Sequence, residues 1–201
     1  MFKKSLSALI CLIIPLLRAN EMAEFGSNCL IHNVAFSHGY LFSSNENKHK
    51  ETTSHQAKNQ VSVRPLGKVK DFNNIRWSFV ETSKQSDQFY LKSSQFEDYL
   101  CATNSYADFW NTKRVVKRLK IDKSSDFLDN CKWRMIRVDL KTSNGTYLIK
   151  NMYYDEPLYA MSYFFQRWVD NREVYLWHKK NEYKKNFKWI IDCQTGNYLW
   201  I

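Results

Sequence analysis

The sequence lacks the motifs that mark common catalytic and metal sites. It contains no P-loop, no GxSxG and no HExxH pattern, and it has no CxxC pair or cluster of cysteine with histidine. Its five histidines stand in no recognisable nucleophile or zinc spacing. We therefore expect a protein that is not an enzyme and that uses no cofactor and no metal.

Long apolar runs are absent after the first residues. The chain opens with Met1, Phe2, Lys3 and Lys4, continues through an apolar run from Leu6 to Leu17, and closes that run with Arg18 and Ala19. A basic start, an apolar stretch and a small residue are typical of a secretory signal peptide. The run is also shorter than the ~20 residues that span a bilayer. We predict a signal peptide at 1–19, cleavage after Ala19, and a secreted, basic mature domain at 20–201 with no transmembrane segment. An N-terminal membrane anchor is the alternative.

Cysteine usage agrees with export. Removal of the signal peptide would take Cys11 with it and leave Cys29, Cys101, Cys131 and Cys193. An even number of cysteines in an oxidising compartment predicts two disulfides, and four cysteines allow three pairings. Asn144-Gly145-Thr146 is an acceptor sequence for N-glycosylation, so Asn144 is the predicted glycosylation site.

No convincing amphipathic helix is present, but short β-prone runs recur in a fixed order. Trp77, Trp133 and Trp189 are separated by 56 residues in both intervals. The segments Tyr40–Ser43, Tyr99–Ala102 and Pro157–Ala160 align by their leucines, Leu41, Leu100 and Leu158. Two further β-prone runs accompany each of these pairs, one before the leucine and one before the tryptophan. The chain therefore reads as three units of four strands.

Three copies of four strands predict an all-β fold, the β-trefoil, with repeats at about 28–84, 85–141 and 142–201. A lipocalin fits the length, the export and the cysteines, but it predicts no three-fold phase. The three tryptophans and the three aligned leucines are assigned to a shared core, because an aromatic side chain buries a large apolar area.

The repeats also favour one disulfide pairing. Cys101 lies in the second strand of the second repeat and Cys131 begins its fourth strand, so this pair would link one repeat internally. Cys29 lies in the first strand and Cys193 follows the last tryptophan, and the two ends of a trefoil lie side by side. We therefore predict Cys101–Cys131 and Cys29–Cys193. The segment Tyr198-Leu199-Trp200 resembles another first strand near that junction.

The signal sequence, the two predicted disulfides and the tryptophan-centred repeats resemble the cysteine- and tryptophan-rich salivary proteins of blood-feeding mosquitoes. The pattern is more distantly similar to ricin-type trefoil lectins. The resemblance implies a secreted β-trefoil with a sugar-binding or host-directed role. Ricin-type repeats carry Gln two residues before the tryptophan, whereas here those positions are Ile75, Cys131 and Phe187. Sugar binding is therefore a hypothesis that the resemblance suggests and that the motif does not confirm.

A basic strand is one candidate binding feature. The segment 113–120 holds five cations in eight residues. If it forms a strand, Arg114, Arg118 and Lys120 share one face, while Val115 and Leu119 point inward. Such a face could hold the sulfate groups of a glycosaminoglycan. The alternative is a solvated surface. A second basic stretch consists of Lys179, Lys180, Lys184, Lys185 and Lys188.

Aromatic connections are the other candidate. The connection between the second and third strands contains Tyr106, Phe109 and Trp110 in the second repeat, and Tyr163, Phe164, Phe165 and Trp168 in the third. These side chains either cap the core or form an exposed platform for a sugar ring or a protein partner. Trp110 and Trp168 are the candidate ligand-binding residues in the second case.

Two other classes of protein share this fold and length. A Kunitz-type protease inhibitor of the soybean kind would act through one exposed loop, but the pair Arg64-Pro65 is a poor scissile bond because proline follows the target residue. A cytokine-like receptor ligand is the other possibility. We expect a monomer that binds a glycan, a sulfated glycosaminoglycan or a host protein.

The predicted leader is directly testable. When the full chain is expressed in a eukaryotic secretory host, we expect the protein in the medium to begin at Asn20, as measured by N-terminal sequencing. Recovery of the uncleaved chain in the membrane fraction would support the anchor instead.

Overall fold

The computed structural model describes residues 26–36, 38–43, 61–82, 87–121, 129–139, 145–161, 172–178 and 184–193. Within these ranges the chain forms twelve strands, four in each repeat. The first repeat contains β1 (Cys29–Asn33), β2 (Gly39–Ser43), β3 (Val61–Pro65) and β4 (Arg76–Glu81). The second contains β5 (Gln88–Ser93), β6 (Tyr99–Tyr106), β7 (Lys113–Leu119) and β8 (Lys132–Asp139). The third contains β9 (Thr146–Asn151), β10 (Leu158–Ala160), β11 (Arg172–Trp177) and β12 (Lys188–Cys193).

Six of the strands close into a ring. The first and fourth strands of the repeats pair antiparallel in the circular order β1, β4, β5, β8, β9 and β12, and β12 returns to β1. The remaining strands form three hairpins, β2–β3, β6–β7 and β10–β11, and β11 also pairs with both β3 and β7. This arrangement is a β-trefoil, as the repeats predicted. Each of the twelve predicted β-prone runs falls on one of these strands, although Ile75, Pro157 and Phe187 lie just before theirs.

Short 3-10 helices lead into the fourth strand of every repeat. They span Phe72–Ile75, Asp129–Cys131 and Lys185–Phe187, and another, Leu66–Lys68, follows β3. Among the described residues, no helix has the length and hydropathy needed to cross a membrane.

The predicted core is confirmed. Trp77, Trp133 and Trp189 have no exposed surface, and neither do the three aligned leucines. Each indole Nε1 donates a hydrogen bond to the backbone carbonyl of the leucine in its own repeat: Trp77 to Leu41 at 3.0 Å, Trp133 to Leu100 at 2.8 Å and Trp189 to Leu158 at 3.1 Å. The fourth strand is thereby tied to the second strand in every repeat, and the polar atom of each buried indole is satisfied.

Both predicted disulfides are present. Cys101 is bonded to Cys131, and Cys29 is bonded to Cys193. Cys29 and Cys193 also face each other in the β1–β12 register, so the second bond joins the first and last strands where they already pair. It closes a separation of 164 residues. In the chain-entropy model, a loop of this size contributes about 5 kcal/mol to the free energy of unfolding.

The turn between the first and second strands has the same unusual backbone in all three repeats. His38, Glu97 and Asp155 each stand three residues before the aligned leucine, and their φ angles are 63°, 58° and 53°. Non-glycine residues rarely adopt this left-handed conformation. The repeated geometry sets the direction in which the next residue, Gly39, Asp98 or Glu156, enters the structure.

The tryptophan–leucine bond gives a stability prediction. Trp133→Phe removes the donor to the buried Leu100 carbonyl and leaves a void, so we expect a loss of about 2–4 kcal/mol in the free energy of unfolding. Urea denaturation of the disulfide-bonded protein measures it. The matched control is Trp110→Phe at an exposed tryptophan, which should change stability by less than about 0.5 kcal/mol. Equal effects of the two substitutions would contradict the assigned role of the bond.

Candidate functional site

Two large aromatic side chains stand exposed at the tip of the β6–β7 hairpin. Phe109 is 92% exposed and Trp110 is 79% exposed, and their rings meet edge to face with centroids 6.3 Å apart. Of the two alternatives for the aromatics of this connection, a cap over the core is wrong for these two side chains. The physical reason is that the buried members of the main core, among the described residues, all lie in strands, and neither ring packs against them. Trp110 is therefore placed where a ligand can reach it.

Asp108 fixes the conformation of this hairpin tip. Its carboxylate accepts hydrogen bonds from the backbone N–H of Thr112 at 2.8 Å and of Lys113 at 3.0 Å, and from the Thr112 hydroxyl. Burial acts to raise the pKa of Asp108, but these hydrogen bonds outweigh it and hold the pKa below its ordinary value. Phe109 and Trp110 thus project from a turn that is closed beneath them.

A buried ion pair joins this hairpin to the third repeat. The Arg114 guanidinium donates through Nε to Glu156 Oε2 at 2.9 Å and through Nη2 to Glu156 Oε1 at 3.3 Å. It is stacked on the ring of Tyr154 at 3.6 Å and lies 4.5 Å from the ring centroid of Tyr106. Burial alone would lower the pKa of Arg114, but Glu156 more than compensates and raises it. The pair positions the β9–β10 turn against the hairpin.

The β9–β10 turn adds a third exposed ring. Tyr153 is 62% exposed, and its ring lies edge to face with that of Tyr154 at a centroid distance of 4.7 Å. The Tyr154 hydroxyl donates to the Asn104 side chain in β6, so the turn is held to the second repeat at both ends. We call Phe109, Trp110 and Tyr153 the aromatic rim.

Polar groups accompany the aromatic rim. His178 follows β11, has a side chain that is 66% exposed, and places Nδ1 2.9 Å from Glu156 Oε1. Its backbone N–H donates to the Thr112 carbonyl, which fixes it beside the hairpin. Exposed aromatic surface with an imidazole beside the same hairpin is suited to noncovalent binding of a polar ligand. Among the described residues, no group of acidic, histidine and cysteine side chains is arranged to hold a metal ion.

The predicted outward basic face of β7 is wrong in its orientation. Arg114 is 7% exposed and Arg118 has no exposed surface, and Val116 lies between them on the same inward side. Of the predicted set, Lys120 alone is exposed, just beyond the end of the strand. The prediction for segment 113–120 assumed that arginine side chains point toward water. That assumption fails here because each arginine meets a buried acid.

Asp98 is the partner of the second arginine. Its two carboxylate oxygens accept from Arg118 Nη1 at 2.9 and 3.1 Å, and the guanidinium stacks 3.8 Å from the ring centroid of Phe96. Burial raises the pKa of Asp98 above its ordinary value, against the lowering effect of Arg118. Both guanidinium groups are therefore paired with acids inside the fold. They do not form the outward basic face that the glycosaminoglycan hypothesis required.

Other predicted residues fall elsewhere. Trp168, Asn144 and the segment Tyr198-Leu199-Trp200 lie outside the described residues, as do Tyr163, Phe164, Phe165, Lys179 and Lys180. Arg64 and Pro65 belong to β3, where they pair with Tyr40 and Gly39 of β2, and not to a loop. An extended strand paired along its length is a poor substrate mimic for a protease.

Several important residues were missed, although the repeat contained a signal for them. Asp98 and Glu156 stand two residues before an aligned leucine, and an asparagine stands three residues before every core tryptophan: Asn74, Asn130 and Asn186. The side chains of Asn130 and Asn186 donate to the carbonyls of Ala102 and Ala160, two residues after the aligned leucines. An alignment of the three repeats that included polar as well as apolar positions identifies both the turn acids and the asparagines.

Comparison with known proteins identifies the fold but not the family. No family model and no curated protein matches the sequence. Solved structures do match. An SDF2-like protein from Arabidopsis thaliana has a TM-score of 0.61 and 17% identity, with 87% of this chain and 96% of that chain covered.

Two further solved structures share the fold. A salivary protein of the Cysteine and Tryptophan-Rich family from Culex has a TM-score of 0.53 at 17% identity, covering 83% of this chain and 94% of that one. The ricin B-like lectin of Macrolepiota procera, solved in complex with lactose, has a TM-score of 0.54 at 18% identity, covering 83% and 96%. Identities this low show the β-trefoil fold and do not establish a shared family.

The ion pair beneath the aromatic rim gives a second stability prediction. Glu156→Ala leaves the buried Arg114 charge without its carboxylate, so we expect a loss of about 3–5 kcal/mol in the free energy of unfolding. The double variant Arg114→Met with Glu156→Leu removes both charges and should recover most of that loss. Urea denaturation of both variants tests this. A double variant as unstable as Glu156→Ala would show that packing, and not the unpaired charge, sets the effect.

Proposed function

We propose that this protein is an extracellular, noncatalytic, lectin-like β-trefoil that binds carbohydrate through the aromatic rim. The observation that carries the proposal is the exposure of Phe109 and Trp110 at the tip of the β6–β7 hairpin and of Tyr153 in the β9–β10 turn, which the Arg114–Glu156 pair joins to that hairpin. Large exposed apolar side chains cost solubility, and when they are grouped on fixed loops they mark binding surfaces.

The chemistry of the rim suits a sugar. A pyranose ring offers apolar C–H faces and a border of hydroxyl groups, so an aromatic ring can cover the face while polar side chains bind the border. Trp110 and Tyr153 supply rings with a polar edge, and His178 supplies a hydrogen-bonding group beside the same hairpin. The backbone of these loops also loses little freedom on binding, because Asp108 and the Arg114–Glu156 pair already fix it.

The comparison supports this function at the level of the fold. The Macrolepiota procera neighbour is a lectin solved with lactose, and the Culex neighbour is a salivary protein. The leader-like N-terminus and the two disulfides support an extracellular location. We propose a salivary-type role on these grounds, with a glycan of a host or extracellular surface as the partner.

Glycan binding is tested with the mature protein on an array of neutral and acidic oligosaccharides, followed by calorimetry with the strongest ligand. Trp110→Ala should weaken binding by at least about tenfold, since removing an aromatic hot spot costs ~2 kcal/mol or more. The matched control is Phe72→Ala, which truncates an aromatic that is 52% exposed in the first repeat and should leave affinity unchanged.

An array that stays blank at high protein concentration would remove the proposal. Equal loss of affinity in Trp110→Ala and Phe72→Ala would move binding away from the aromatic rim. Both variants should unfold at the wild-type urea midpoint, because neither side chain is part of the core.

A further inference from the structure

An arginine covers an aromatic ring at the first turn of every repeat. Asn33, Ser93 and Asn151 end the first strands, and three residues later stand Phe36, Phe96 and Tyr154. Each ring lies under a guanidinium, with distances to the ring centroid of 4.0 Å for Arg172 on Phe36, 3.8 Å for Arg118 on Phe96 and 3.6 Å for Arg114 on Tyr154. The three ring positions are equivalent, and so are Arg114 and Arg172, which both reach from the third strand of the preceding repeat. Arg118 instead comes from the third strand of its own repeat, at the position that Val63 and Leu176 occupy in the other two.

In two repeats the stacked guanidinium also binds a carboxylate. Asp98 and Glu156 occupy the same place in their turns, directly after the left-handed residue, and they hold Arg118 and Arg114 at 2.9 Å. The fold itself therefore shows which ligand this stacked arginine takes.

In the first repeat Arg172 is stacked on Phe36, but the turn supplies no carboxylate at the position of Asp98 and Glu156. The equivalent position is Gly39, where a Cβ atom would lie 2.6 Å from Val63 Cγ1 and 2.9 Å from Phe36 Cβ. No side chain can enter there without displacing its neighbours. Among the residues that the structure describes, no carboxylate forms an ion pair with Arg172.

Although it lacks such a partner in the described part of the chain, the Arg172 side chain is partly buried. It is half-buried at the start of β11, opposite Val63 of β3, and burial lowers the pKa of its guanidinium. A guanidinium that has lost part of its hydration, and that pairs with no acid among the described residues, keeps hydrogen-bond donors for the carboxylate of a ligand. The positive charge of the whole chain, formally +10, adds a general attraction for anions.

We propose that Arg172, stacked on Phe36, is a binding site for the carboxylate group of an acidic ligand such as a uronic acid. The ligand carboxylate replaces the internal acid that the second and third repeats supply. The site lies at the junction of the third and first repeats and is separate from the aromatic rim.

The site is tested by NMR on the disulfide-bonded protein, observing the arginine Nε–Hε resonances during titration with sodium glucuronate. Glucose with sodium chloride at matched ionic strength serves as the control. We expect a saturable shift of the Arg172 resonance, with Arg114 and Arg118 unchanged because Glu156 and Asp98 already occupy them. Arg172→Lys should weaken binding roughly tenfold, because the ammonium group cannot form the paired hydrogen bonds. Arg172→Met should abolish binding.

Three results would overturn the proposal: equal shifts with sodium chloride, equal responses of all three arginines, or unchanged glucuronate binding by Arg172→Met. Tighter binding of sodium sulfate than of glucuronate would overturn the assignment to carboxylates. If Arg172→Met does not fold, Phe36→Leu removes the stack but keeps the charge, and it should weaken glucuronate binding. The test is independent of the aromatic rim, because Trp110→Ala should bind glucuronate at Arg172 normally.

Discussion

The hydrogen bond from a buried indole to a leucine carbonyl is the interaction on which the rest of the structure depends. It occurs once per repeat, between the fourth and second strands, and it sets the depth and orientation of the largest side chain in the core. An indole buried without an acceptor would cost the desolvation of its N–H. The bond therefore allows a tryptophan to be buried completely in each repeat of a small domain.

Among the described residues, the buried members of the main core all lie in strands, so the tip of the β6–β7 hairpin is available for binding. The aromatic rim is held from below by the Asp108 turn and the Arg114–Glu156 pair, not by burial of its own rings. Similar fixed turns occur in all three repeats, but their contents differ. Asp98, Glu156 and Gly39 occupy one position on one backbone, and the differences among them decide which arginine is satisfied within the fold. Three-fold symmetry thus gives the framework, and departures from it give the candidate sites.

Much of the fold could be predicted from spacing. The 56-residue tryptophan interval placed the fourth strands, and the aligned leucines placed the second strands, because a repeated core must bury equivalent side chains. The disulfides followed from the same alignment. The candidate site was predicted only in part. Trp110 was chosen from its residue type, whereas Tyr153 and His178 come from other strands, and their proximity to the hairpin depends on packing between repeats. The basic strand was misread because alternation alone does not tell which face of a strand points inward.

The sequence by itself determined the number of strands, their order, the core tryptophans and the disulfide partners, since each of these follows from local pattern and repetition. Tertiary structure alone decided the environment of the charged side chains. Arg114 and Arg118 are buried because they pair with Glu156 and Asp98 from turns elsewhere in the chain. The turn beside Arg172 has Gly39 at the position of those acids. The free energy of a buried charge depends on its partner, and that partner lies too far along the chain for a sequence pattern to identify it.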